Sequence, residues 1–218
     1  MIIVSVILTT YNSESHIQKV IHSIRNQHGL GELFTMELIV VDDCSTDNTI
    51  KILKSEKIPF LSTKINSGGP NQGRNIALKK CTGDYICIAD HDDIWFADKI
   101  EKLLSVTHLA SIVTSGYILS DQSVSKEIVR GRSINKEYLF FEKNEIFKSK
   151  FIKSKDGQQT YLGSILFSSS FKDILFEEEY GMIDFDWILR LFYNQSSVEI
   201  CRPLYQRKVE KDNLSLNE

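Results

Sequence analysis

Tyr85-Ile86-Cys87-Ile88-Ala89-Asp90-His91-Asp92-Asp93 is the stretch on which the reading of this chain turns. Its apolar first half, bounded by Gly83-Asp84, has the length and composition of a buried strand. Its second half sets three carboxylates within four residues, which repel one another unless a cation neutralises them. Hard oxygen ligands at that density suit Mg²⁺ or Mn²⁺, above all where substrate phosphates complete the shell. The end of a strand is also where open α/β sheets bind their ligands. From these residues alone a second reading stays open, a solvated acidic turn that caps the next helix.

Outward from this stretch, strand and helix signals alternate. Residues 2–8 read as a strand, and Ile17, Val20, Ile21 and Ile24 then fall at i, i+3, i+4 and i+7, one apolar stripe of a helix. Residues 36–41 read as a second strand, with a helix starting near Ser45-Thr46-Asp47, good N-cap chemistry. Residues 58–61 read as a short third strand. The turn Ser67-Gly68-Gly69-Pro70 leads into a helix carrying Ile76, Ala77 and Leu78. Residues 85–89 form the fourth strand, and Ile100, Leu103 and Leu104 mark the helix after the acidic row. The alternation predicts an α/β fold, a mostly parallel sheet flanked by helices on both faces.

At 218 residues the chain fits a single domain with a sizeable core. A formal charge of −3 gives no whole-protein field that calls for nucleic acid. Cys44, Cys81, Cys87 and Cys201 are widely spaced, which argues for a reducing compartment rather than a disulfide framework. The N-terminal apolar run stops at Leu8 without a basic flank, so it reads as a strand and not a signal peptide. No apolar run approaches the ~20 residues of a membrane span. A cytoplasmic location is expected.

The second half is less regular. Residues 120–160 show no sustained periodicity and read as loop with short helices. Residues 126–155 carry nine Lys/Arg against four Asp/Glu, interleaved with Tyr138, Phe140, Phe141, Phe147 and Phe151. Such a run is either a solvated face with core anchors or a surface that lies on anionic lipid. Residues 161–167 read as a strand, 183–193 as a helix, 198–200 and 204–207 as closing strands, and the polar tail from Lys211 as frayed.

Three loops fall at the carboxyl ends of strands: Thr9-Thr10-Tyr11-Asn12, Asp42-Asp43-Cys44-Ser45, and the acidic row. Switch-point geometry gathers them on one edge of the sheet. Tyr11 offers a ring to stack on a base. Asp42 or Asp43 offers an acceptor for a base N–H or a ribose hydroxyl, and Arg74 a donor for a base carbonyl or a diphosphate. Taken singly, each is as well explained by a helix cap or a surface ion pair; together on one rim they are not.

Val4-Ser5-Val6-Ile7-Leu8-Thr9-Thr10-Tyr11-Asn12, Glu37-Leu38-Ile39-Val40-Val41-Asp42-Asp43-Cys44-Ser45-Thr46-Asp47, Asn66-Ser67-Gly68-Gly69-Pro70, Arg74-Asn75 and Gly83-Asp84-Tyr85-Ile86, ending in Asp90-His91-Asp92-Asp93, resemble the family 2 glycosyltransferases. The resemblance is dense over residues 2–104 and resumes around 181–191. It implies a GT-A, Rossmann-like fold, a nucleotide-sugar donor of UDP type, a divalent metal (Mn²⁺ or Mg²⁺) and inversion at the anomeric carbon. It implies a nucleotide-sugar-binding half over 1–110 and a less regular acceptor-binding half over 111–218. By analogy Thr9, Tyr11, Asp43 and Arg74 contact the nucleoside, and Asp92 with Asp93 holds the metal and diphosphate, Asp90 being a further candidate ligand. The implied acceptor is a glycan or lipid-linked saccharide of the cell envelope, with peripheral contact to anionic membrane through the basic segment.

Members of this family usually draw the base that deprotonates the acceptor from a Glu-Asp pair opening a late helix. The matching stretch is Ile183-Asp184-Phe185-Asp186-Trp187, with Ile183 in place of the Glu. Periodicity puts 184, 187, 188 and 191 on one face, so Asp184 heads the inward stripe and Asp186 points away. Its rival role is a helix cap. Two other functions compete. Asp90-x-Asp92 superficially resembles the nucleophile motif of haloacid-dehalogenase-type phosphatases, although there the motif ends the first strand. The missing Glu also fits a sugar-nucleotide-binding subunit without catalysis.

Overall fold

The computed structural model describes residues 1–121, 126–131, 135–152, 160–179 and 184–209. Its first half is β1 (Ile2–Thr10), α1 (Ile17–Arg25), β2 (Phe34–Asp42), α2 (Thr49–Ser55), β3 (Phe60–Ser62), α3 (Asn71–Leu78) and β4 (Tyr85–Ala89). These strands are parallel, in the order β3-β2-β1-β4. Thr10 lies opposite Asp42 and Leu8 opposite Ala89, so the carboxyl ends of β1, β2 and β4 share one edge. The chain continues through β5 (Ile94–Trp95), α4 (Lys99–Ser105), β6 (Ile112–Asp121), β7 (Lys126–Arg130), β8 (Tyr138–Phe141), α5 (Glu145–Phe151), β9 (Leu166–Ser168), α6 (Phe185–Phe192) and β10 (Ser197–Val209). The sheet extends from β4 through β9, β6 and β10 to β5, with β9 antiparallel to both its neighbours.

Alternation along β1 explains why helices cover both faces. Val4, Val6 and Leu8 meet Ile17, Val20, Ile21 and Ile24 of α1, Leu53 of α2, and Ile100 and Leu103 of α4. Ile7 faces the other way, with Val41, Ile86 and Ile88, against Ala77 and Leu78 of α3 and Trp187, Ile188 and Leu191 of α6. Burying one Ile or Val stabilises by roughly 1.5–3 kcal/mol, against ~1 kcal/mol for a cap. The four inward residues of α1 therefore outweigh its lack of a side-chain cap. Entry into β4 is set by Gly83, whose Cβ position lies 2.7 Å from the Ile3 carbonyl and 2.8 Å from the Ser5 nitrogen.

Four expectations change. Among the described residues of 120–160, the expected short helix is present as α5, but β7 and β8 are strands where loop was expected. Val129, Tyr138 and Phe140 are exposed, so no apolar alternation marks those strands. Residues 161–167 are not one strand but a 3-10 turn, Leu162–Ser164, followed by β9. At that turn a Cβ on Gly163 would stand 2.8 Å from Asp93 Oδ2. The two closing strands are one, β10, whose register shifts on either side of Pro203. A proline lacks the N–H for a ladder, and irregular pairing absorbs it. Last, α2 begins at Thr49, beyond the expected start. The tail from Lys211 lies outside the described residues. The four cysteines are free, and no described helix is long and apolar enough to cross a membrane.

Candidate active site

The β1 and β2 ends turn sharply at Asn12 and Cys44, both with positive φ (46° and 61°). Asn12 Oδ1 accepts from the Thr46 N–H at 2.8 Å, tying the two loops together. Asp42 is wholly buried and accepts from Thr10 Oγ1 (3.0 Å), the Ser45 N–H (2.9 Å) and Ser45 Oγ (2.6 Å). Its carboxylate is turned onto its own loop. Asp43 accepts from Thr63 Oγ1 (2.6 Å), the Ser67 N–H (3.0 Å) and Ser67 Oγ (2.9 Å), so it anchors the glycine-rich turn to the β2 end. Thr9 is buried under this rim, against Gly73 of α3, while Tyr11 stands out from it, 45% exposed.

Across the rim, α3 delivers Arg74, only 3% exposed, to the acidic row. Arg74 Nη2 donates to Asp90 Oδ1 at 2.8 Å, and its buried Nε has no hydrogen-bond partner among the described residues. Asp90 is thus paired with a cation, whereas Asp92 and Asp93 repel each other and Asp90. Burial, then Asp90, raises the Asp92 pKa from its ordinary value. Burial, Asp90 and Asp92 raise that of Asp93 further, Lys99 and Arg207 opposing. No three His, Cys, Asp or Glu side chains among the described residues are grouped as a ready-made metal site. Two undercompensated hard-oxygen carboxylates nevertheless fit an ion that completes its shell with substrate phosphates and water.

Asp184 is the N-cap residue of α6, yet its side chain makes no capping hydrogen bond. Burial raises its pKa; Arg74, Lys150 and Arg207 pull it down, and Asp90 pushes it up. The late-helix carboxylate therefore lies in the field of the strand-end groups. Asp186 points away, its Oδ2 accepting from Arg190 Nη2 at 2.7 Å in an exposed i,i+4 pair. Ile183 lies outside the described residues.

Several residues of this region carry no motif. Lys99, wholly buried, donates to the Gly163 carbonyl and sits 4.1 Å and 4.4 Å from the ring centroids of Trp95 and Tyr205. Burial brings its pKa down to about 8, against the pull of Cys87, Asp93 and Asp90. Lys150 and Arg207 lie 5.3 Å and 5.1 Å from the Tyr161 ring. Lys99 was legible in one respect, standing four residues before inward Leu103 on α4; Lys150 and Arg207 gave no signal.

Comparison with known proteins agrees with this geometry. Residues 5–172 match the family described as "Glycosyl transferase family 2". The chain belongs to that family. The Staphylococcus aureus poly(ribitol-phosphate) beta-N-acetylglucosaminyltransferase TarS is 40% identical over 93 residues, 41% of this chain and 16% of TarS. The putative teichuronic acid biosynthesis glycosyltransferase TuaG of Bacillus subtilis is 38% identical over 127 residues, 55% of this chain and 48% of TuaG. The Escherichia coli UDP-Glc:alpha-D-GlcNAc-diphosphoundecaprenol beta-1,3-glucosyltransferase WfgD is 37% identical over 107 residues, 48% of this chain and 40% of WfgD. The chain thus spans less than half the length of these relatives. The crystal structure of S. aureus TarS 1-349 with UDP-GlcNAc superposes with a TM-score of 0.76 over 99% of this chain and 61% of that one, at 23% identity, which bears out the GT-A fold. The acidic row of this family member ends the fourth strand, not the first, and the phosphatase reading lapses.

Proposed function

We propose that this chain is an inverting glycosyltransferase that moves a sugar from a nucleotide-diphospho-sugar, of UDP type, to a glycan or lipid-linked saccharide of the cell envelope. Residues 1–110 bind the donor and 111–218 the acceptor, within one domain. The observation that carries the reading is Asp184: a helix-opening carboxylate without a capping bond, kept near Arg74 and Asp90. Relatives that act with UDP-glucose or on undecaprenol-linked saccharides, and the TarS complex with UDP-GlcNAc, support these substrate classes.

Tyr11 and Thr9 line the nucleoside side, and Asp43 holds the turn that closes it, with Asp42 fixing the loop beneath. Arg74, whose Nη2 already meets Asp90, stands beside the diphosphate. Asp92 and Asp93, with Asp90 paired to Arg74 beside them, would hold Mn²⁺ or Mg²⁺, which when bound would offset charge on the departing nucleoside diphosphate. Asp184 takes the acceptor hydroxyl proton as that oxygen bonds to the anomeric carbon, opposite the breaking bond to phosphate. A raised pKa suits a general base, because it lies nearer the operating pH.

Transfer of labelled sugar by Asp184→Asn should fall by about 10²–10⁴, the usual worth of acid–base catalysis, with donor and metal affinity retained. Asp186→Asn, which breaks only an exposed pair, should transfer normally. Full transfer by Asp184→Asn would remove it as the base. Donor binding without transfer by the unaltered chain would make it a binding subunit.

The enzyme works in the cytoplasm, at the membrane surface. Exposed Phe151 and Tyr193 pack on the Phe147 ring, with exposed Ile152, Lys143 and Lys148 near them in sequence, which supports peripheral contact. Buried Lys150 takes no part in it. Co-sedimentation with anionic vesicles should weaken as salt rises, since screening acts over ~10 Å at 0.1 M. Equal sedimentation with neutral and anionic vesicles would count against it.

A further inference from the structure

Next to Arg74, Asn75 turns its whole amide onto the segment 174–178. It donates Nδ2–H to the Phe176 carbonyl (2.9 Å) and to Glu178 Oε1 (2.6 Å), and its Oδ1 accepts from the Phe176 N–H (2.7 Å). One turn earlier, Asn71 Nδ2 donates to the Glu177 carbonyl at 2.6 Å. The same segment is held from the other side by α6. Trp187 Nε1 donates to the Ile174 carbonyl (2.6 Å) and Arg190 Nη2 to the Leu175 carbonyl (2.8 Å). Five successive residues thus form a strap, its first two carbonyls bound to α6 and the next three residues bound to α3. The Phe176 ring lies between the two helices, stacked on Trp187 at 4.6 Å and 8°, with the Arg74 guanidinium 5.2 Å from its centroid. Trp187 is one helical turn beyond Asp184.

We propose that Asn75 is a positioning residue that, through Phe176 and Trp187, fixes Asp184 relative to Arg74 and Asp90. It rests on the function proposed above for the roles of Arg74 and Asp184. An amide suits the task because it donates and accepts at once, as an edge-on match to a peptide group demands. A carboxylate in its place has no proton for the Phe176 carbonyl, and Ala has neither half. In a well-packed layer, displacement by even an ångström shifts a reacting group out of alignment.

The test uses the whole chain labelled with 5-fluorotryptophan, which reports Trp95 and Trp187; Trp187→Phe assigns the second signal. UDP with Mg²⁺ should move the Trp187 signal of the unaltered protein, because its ligand-facing Arg74 shares the Phe176 ring. In Asn75→Ala that signal should stand displaced before ligand is added, and UDP should no longer move it. Its UDP affinity should stay within about threefold while kcat falls about tenfold to 10²-fold, the range for a misplaced group. Phe176→Leu, which keeps apolar bulk and loses the stack, should do the same, and the double variant should be no worse than the weaker single one. An unmoved Trp187 signal in both variants overturns the proposal. So does a lower melting temperature with kcat per folded molecule unchanged, or lost UDP affinity with kcat intact. If the unaltered chain binds UDP but transfers nothing, the proposed function fails and the fluorine signals still decide the strap.

Discussion

Asp92 is a carboxylate whose ionised form its surroundings disfavour, burial first and Asp90 second. A carboxyl whose folded pKa is raised contributes stability below its unfolded value, and loses it as pH rises through the folded pKa. Asp92→Asn escapes that loss. In chelator-treated buffer it should melt above the unaltered protein near pH 7, the gap closing as pH falls below about 4, the ordinary Asp range. A variant that melts lower at pH 7 would contradict the assigned shift. Calorimetric titration with UDP should show that Mn²⁺ strengthens binding to the unaltered chain and not to Asp92→Asn; an equal gain in both would remove Asp92 from the metal site. Asp92 was legible because three carboxylates in four residues are anomalous in any sequence. Asn75 was not, because an amide on a helix has no meaning until residue 176 is placed against it, and Lys99 showed only its inward spacing, not the Gly163 carbonyl it meets.

Elements whose burial alternates were legible for the same kind of reason. β4 occupies the expected residues, and the stripe 17, 20, 21, 24 lies wholly inward on α1. β7 and β8 were not, since their exposed side chains leave no period to read, and β10 was read as two strands because Pro203 interrupts it. Close approach between elements is equally silent in sequence. Gly83→Ala would drive a methyl into backbone atoms of β1, which cannot rotate away, and should destabilise by about 1–3 kcal/mol, as overpacking does. Gly69→Ala, with nothing within 4 Å of its Cβ position, should stay within about 0.5 kcal/mol. Urea midpoints of the two variants check this, and equal midpoints would contradict the packing at the β4 entry.

In the molecule as a whole, the β3-β2-β1-β4 sheet edge carries the loops we propose bind the donor, and the segment 174–178 ties α3 to α6, the helix that Asp184 opens. On the proposed function, the acceptor oxygen enters from the Asp184 side as the diphosphate leaves toward Asp92 and Asp93. This two-sided arrangement fixes the stereochemistry of the product. Proton NMR of a reaction containing an α-linked UDP-sugar, Mn²⁺ removed before recording, and a saccharide acceptor measures it directly. A β-linked product with one UDP released per sugar transferred is the expected result; an α-linked product would contradict the account.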